Sequence, residues 1–165
     1  MKNSLFLLLF FLSLIVKGQG DIAKVGQAIP KFTIYLDSGK QINSSSLDQK
    51  VILINFFALW CSPCLAELPL IQKYIWQKYR SNKDFSMLII GRGYGYADMQ
   101  TFKTNYWPDL PIYPDYKERI YSLFASQSIP RNYIIDKSGK IIYASTGFYR
   151  AEFFRMAAIL GNLLK

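Results

Sequence analysis

Val51-Ile-Leu-Ile-Asn-Phe-Phe-Ala-Leu-Trp-Cys-Ser-Pro-Cys64 decides how this chain is read. Its first half, Val51 to Phe57, is β-branched and aromatic with one polar break at Asn55, the pattern of a strand buried on both faces of a sheet. Its second half opens a helix. From Ser62 to Tyr79 the apolar residues Leu65, Leu68, Ile71, Ile75 and Tyr79 recur at spacings of three and four, leaving Gln72, Lys73, Gln77 and Lys78 for solvent. Pro63 falls in the first turn, where its missing N–H costs little.

The two cysteines of the chain, Cys61 and Cys64, sit at this strand-to-helix junction. A helix N-terminus presents unpaired N–H groups and a partial positive charge, so a thiolate at Cys61 would be stabilised. Its pKa is expected to fall from about 8.5 into the range ~3.5–7.5. Cys61 is then the attacking thiol. Cys64, one turn further on, is placed to attack a mixed disulfide at Cys61, close a Cys61–Cys64 bond and release a reduced substrate. Other uses of the pair fit less well. A bridge over so short a loop removes little entropy from the unfolded chain. A zinc site needs four ligands, and the chain has no histidine and no third cysteine. Covalent haem attachment needs His directly after the second cysteine, where Leu65 stands.

With Gly26-Gln-Ala-Ile-Pro-Lys-Phe32 upstream and Ile129-Pro-Arg-Asn-Tyr-Ile-Ile-Asp-Lys-Ser-Gly-Lys-Ile-Ile142 downstream, the active-site block resembles the thioredoxin-like proteins. Within them it is most similar to the TlpA/ResA-type thiol:disulfide oxidoreductases that work outside the cytoplasm. The likeness runs over nearly everything after residue 24 and is loosest between residues 91 and 120. It implies an α/β thioredoxin-like fold: a central mixed β-sheet flanked by helices, with an N-terminal β-hairpin and an inserted helix–strand element. About 5–6% of X–Pro bonds in folded proteins are cis, so the residues themselves leave Ile129–Pro130 open. The resemblance implies a cis bond there, packed against the cysteines and lining a substrate groove. Trp60, Pro63, Ile129 and Pro130 are the candidate substrate contacts. Arg131 departs from the small hydroxyl residue that the family often places after this proline.

The resemblance also bears on proton movement. Asn55 occupies the strand position where cytoplasmic thioredoxins carry a buried acid. Glu67, three residues after Cys64 on the same side of the helix, matches a glutamate that the family uses to influence its thiols. A carboxylate there would raise a thiol pKa and relay the proton that Cys64 must lose. The alternative is an ordinary first-turn glutamate favoured by the helix dipole, and both readings stand at this point.

The chain has 165 residues, 51% hydrophobic, enough for one compact domain over 21–165 once residues 1–20 are set aside. Met1-Lys-Asn-Ser4 precedes an apolar stretch from Leu5 to Val16, then Lys17-Gly-Gln-Gly20. As a helix that stretch would span about 18 Å against a hydrocarbon core of ~30 Å. A signal peptide cleaved after Gly18 or Gly20 is expected, with an uncleaved anchor as the alternative. Either form places the domain in the periplasm or otherwise outside the cytoplasm, where disulfides persist. The net charge of +9 becomes +7 without Lys2 and Lys17. The basic residues are scattered, which argues against nucleic-acid binding.

Elsewhere the pattern predicts a hairpin of Phe32–Leu36 and Lys40–Ile42 around Asp37-Ser-Gly39, a loop at Ser44–Ser46 and a strand at Phe85–Ile90. Gly91-Arg-Gly-Tyr-Gly95 lacks the third glycine of a dinucleotide fingerprint and the Lys-Ser/Thr of a P-loop, so it is read as a strand-to-helix turn. A helix at Ala97–Tyr106 and a short strand at Leu110–Tyr113 would form the inserted element. A helix at Tyr116–Ala125 follows, with Ile120, Leu123 and Phe124 inward. A hairpin of Tyr133–Ile135 and Lys140–Ala144 and a helix at Ala151–Leu164 end the fold. Trp60, Trp107, Tyr94, Tyr96 and Tyr113 are candidates to line a groove for unfolded polypeptide.

The function expected is disulfide reduction or exchange on extracytoplasmic proteins by a monomer. No cofactor is expected, since the chain has no nicotinamide or flavin motif, and a membrane thiol-transfer protein would supply electrons. Two alternatives are a polypeptide-binding module with incidental cysteines and a peroxiredoxin-like peroxidase. The latter usually carries Thr or Ser three positions before its reactive cysteine, where this chain has Ala58.

Overall fold

A computed structural model describes residues 20–36 and 39–165. The leader at 1–20 lies outside the described residues except for Gly20, as do Asp37 and Ser38 of the first turn. No helix among the described residues is long and apolar enough to cross a membrane.

Strand β3 (Val51–Phe57) is the axis of the fold, and all seven of its residues are buried. It pairs in parallel with β4 (Phe85–Gly93) on one side and antiparallel with β6 (Arg131–Ile135) on the other. Beyond them β5 (Ile112–Tyr116) and β7 (Ile141–Thr146) complete a mixed sheet of order β5-β4-β3-β6-β7. Pro114 sits in β5, an edge strand, where a missing N–H is tolerated. A separate hairpin, β1 (Thr33–Tyr35) and β2 (Gln41–Asn43), precedes the sheet, and Gly39 takes the positive φ of 78° expected of its turn. Ser44–Leu47 is a short 3-10 turn rather than an open loop.

Alternation along β3 divides the core. Leu53 and Phe57 face a cluster with Leu68, Ile71, Met99, Ile134 and Phe153, whereas Ile52, Ile54 and Phe56 face Ile34, Phe124, Tyr133 and Ile135. Each large apolar side chain so buried contributes about 1.5–3 kcal/mol. The first layer is covered by α1 (Ser62–Leu70), α3 (Tyr96–Tyr106) and α5 (Arg150–Leu163). The predicted helix from Ser62 to Tyr79 is continuous but not uniform. Pro69 cannot donate to the carbonyl four residues back, and the chain widens into a π-helical stretch at Ile71–Trp76 before a last α-helical turn, α2 (Gln77–Tyr79).

Several expectations are corrected. Strand β4 runs three residues past Ile90, so Gly91-Arg92-Gly93 is a paired strand against Pro114-Asp115-Tyr116 and the turn is confined to Tyr94-Gly95. Gly91 is there for space: a Cβ on it would lie 2.1 Å from Met99 Sδ on α3. The inserted strand is displaced to Ile112–Tyr116. The helix expected over Tyr116–Ala125 shrinks to α4 (Tyr121–Phe124), because Lys117 and Glu118 adopt left-handed φ values of 60° and 56°. Asp115 then caps the late start, accepting from the N–H groups of Ile120 at 2.7 Å and Tyr121 at 2.9 Å. Leu123 points outward instead of into the core.

Candidate active site

The end of β3 delivers Ala58 and Leu59 into a tight turn, closed by the Cys61 N–H donating to the Ala58 carbonyl at 3.1 Å. Cys61 is the N-cap of α1, with extended backbone, and its carbonyl accepts from Leu65 N–H at 3.0 Å to begin the helix. Cys61 and Cys64 are joined as a disulfide with Cα atoms 5.2 Å apart. The Cys64 backbone N–H donates to Cys61 Sγ at 3.3 Å. The helix end thus supplies a donor aimed at the sulfur that would carry negative charge after reduction. Of the two, Cys61 keeps 5% of its surface open and Cys64 only 1%, so an incoming reagent meets Cys61 first.

Trp60 projects beside the pair with 72% of its surface exposed, and Pro63 is exposed on the first turn. The Ile129–Pro130 peptide bond is cis. Ile129 packs on the apolar cluster that contains both cysteines, and the Pro130 carbonyl accepts from Gly147 N–H at 2.8 Å. The five aromatics proposed for one groove do not gather. Trp107 joins Leu59, Leu65, Phe102 and Tyr106 around an apolar hollow of about 530 Å³ that begins one or two residues from each cysteine. Tyr96 instead lines a different hollow with Tyr35 and Tyr116.

Glu67 is buried on α1 three residues after Cys64, not displayed on a first turn. Its Oε2 accepts from Asn55 Nδ2 at 3.0 Å and its Oε1 from Asn132 Nδ2 at 2.8 Å. Burial, opposed by these two bonds, pushes its carboxyl up to about 7. Asn132 was missed in the sequence. Its signal was there: a fully polar amide two residues after Pro130, inside a strand buried on both faces, must find a partner.

Arg131 does not reach this side. Strand alternation sends it to the opposite face of the sheet, where it is buried, pairs with Asp21 and donates through Nε to the carbonyls of Gln127 and Ser128 at 3.0 and 3.1 Å. Its departure from the family pattern therefore concerns the loop before Pro130 and the N-terminal segment.

The family model described as Redoxin matches residues 24–160. ResA of Bacillus thuringiensis strain Al Hakam, a thiol-disulfide oxidoreductase, is 27% identical over 121 residues, covering 72% of this chain and 68% of the relative. Among solved structures, a candidate protein disulfide isomerase from Bacteroides thetaiotaomicron superposes with a TM-score of 0.82 at 33% identity, over 88% of this chain and 93% of that one. A candidate thiol:disulfide interchange protein DsbE from Chlorobium tepidum, at 22% identity, shares the fold with a TM-score of 0.76 over 87% and 99% of the two chains.

Proposed function

We infer, since the chain belongs to the Redoxin family and is a thioredoxin-like thiol-disulfide oxidoreductase, that it reduces or exchanges disulfides of extracytoplasmic proteins through its Cys61-Ser-Pro-Cys64 pair. The observation that carries this is the more accessible sulfur, Cys61, held at the start of α1 with the Cys64 N–H directed at it. In the reduced protein the Cys61 thiolate attacks a client disulfide, forming one S–S bond and expelling one client thiolate. Cys64 loses its proton and attacks Cys61 Sγ. The mixed disulfide breaks, the second client sulfur leaves with its electron pair, and two electrons have passed from the dithiol to the client.

Glu67 is the proton acceptor for Cys64 in this scheme: it stands one turn further along α1, and at about 7 it is poised to exchange a proton near neutrality. Trp60, Pro63, Ile129 and Pro130 contact the client. The hollow floored by Leu59 and Leu65 supports a polypeptide client with apolar side chains beside its cysteine. Residues 1–20 act as a signal peptide or anchor that carries the domain at 21–165 out of the cytoplasm, where it works as a monomer and draws electrons from a membrane thiol-transfer protein.

Insulin reduction driven by dithiothreitol tests the activity. The native protein accelerates precipitation of the insulin chains and Cys61→Ser does not; equal rates would leave only a polypeptide-binding module.

A further inference from the structure

The cradle around Glu67 is built by sheet register. Asn55 on β3 and Asn132 on β6 are paired partners across the antiparallel ladder, and both side chains project to the α1 face. Asn55 Nδ2 makes a second bond, donating to Asn132 Oδ1 at 2.8 Å. The two asparagines are 1% exposed and Glu67 2%, so both carboxylate oxygens of Glu67 are bonded by buried amides and not by solvent.

The direction of the amides is informative. Asn55 Oδ1 is buried with no hydrogen-bond partner, while its Nδ2 donates twice. Turning this amide over would set its oxygen against two other acceptors, the Glu67 carboxylate and Asn132 Oδ1. The cradle is thus shaped for an anion. Both of its donors favour the carboxylate over the acid, in opposition to burial. On the same side of the sheet the titratable groups packed on the core include Cys61 and Cys64 of α1, Tyr79 of α2, Tyr94 after β4, Tyr143 of β7 and Glu152 of α5. The last two are bonded to each other at 2.7 Å, and Arg155 lies 3.6 Å from Glu152. The groups bonded to the Glu67 carboxyl are the two neutral amides.

We propose that Asn132 is a positioning residue for the resolving step: by donating to Oε1 it keeps Glu67 available as the base that takes the Cys64 proton. The proposal rests on Glu67 being that base. Asn55 supplies the second donor and orients Asn132 in turn. Without the Asn132 donor, burial acts less opposed, Glu67 holds its proton to higher pH, and the resolving attack slows at neutrality. The attack by Cys61, governed by the Cys64 N–H, serves as an internal reference.

The test is a stopped-flow reaction of the full, reduced protein with 5,5′-dithiobis(2-nitrobenzoate) across a range of pH. Cys61 attack releases the first thionitrobenzoate and leaves the second as a mixed disulfide. Resolution by Cys64 then releases the second. In the native protein the second phase titrates with a midpoint near that of Glu67. In Asn132→Leu the midpoint moves up; a rise of one pH unit slows the second phase about fivefold at pH 7, and the two proteins converge at alkaline pH. Asn132→Asp, which keeps the side-chain shape and introduces a second acid, shifts the midpoint the same way and decides the matter if the leucine variant does not fold. Native midpoints in both variants, alongside a displaced or lost phase in Glu67→Gln, would overturn the role of Asn132 alone. A native profile in Glu67→Gln would remove the base itself, and the proposal with it.

Discussion

The backbone N–H of Cys64 lies 3.3 Å from Cys61 Sγ, so in the proposed exchange the resolving residue also helps to activate the attacking one. On reduction this donor and the start of α1 should favour the thiolate form of Cys61. Iodoacetamide alkylation of the reduced protein at neutral pH, read by peptide mass spectrometry, should modify Cys61 rapidly and leave Cys64 largely untouched. Preferential labelling of Cys64 would reverse the assignment of the two roles.

Glu67 gives the oxidised protein a pH-dependent stability. Its carboxyl rises from 4.5 to about 7 on folding, so the native state keeps a proton that the unfolded chain releases. Stability is therefore full below about pH 4.5, declines as pH rises through 7 and levels off above. The decline amounts to about 3 kcal/mol. Urea midpoints of the native protein and Glu67→Gln, compared at pH 5 and pH 8, should show the slope in the first and its flattening in the second.

Gly91→Ala should destabilise the protein by about 1–3 kcal/mol, because the added methyl enters the space of the Met99 side chain, which is itself buried and must repack. A lowered urea midpoint with the denaturant slope retained would record it. An unchanged midpoint would mean that Met99 moves aside freely.

Asp21→Ala leaves the buried guanidinium of Arg131 without its carboxylate, at a cost of about 1–3 kcal/mol. Asp21→Asn retains an acceptor and should recover part of the loss. The same denaturation experiment distinguishes the two. The disturbance should be greatest around Gln127 and Ser128, whose carbonyls Arg131 also holds, and hydrogen exchange would locate it there.

What could be read in the chain follows from how local its causes are. Strand β3 was legible because seven successive apolar or amide residues admit few other structures, and the start of α1 because Cys61-Ser-Pro63 combines a cap with an early proline. Strand β4 was cut short in the reading because Gly91 and Gly93 look like a turn, whereas Gly91 answers a steric demand from Met99, eight residues later. Helix α4 was overdrawn because its start depends on a carboxylate reaching forward from Asp115 and on two left-handed residues, Lys117 and Glu118, of types that give no warning of it. Asn132 was passed over because its partner lies 65 residues away, on a helix that only the assembled sheet brings near.

The unequal exposure of the two sulfurs imposes an order on any encounter. Under the proposed exchange a visiting polypeptide would touch one sulfur, be bound through it, and be released by another it never meets. Replacing that hidden atom with oxygen, as in Cys64→Ser, should turn a transient encounter into a durable covalent catch, and the captured chains, released by a reductant, would identify the enzyme's clients.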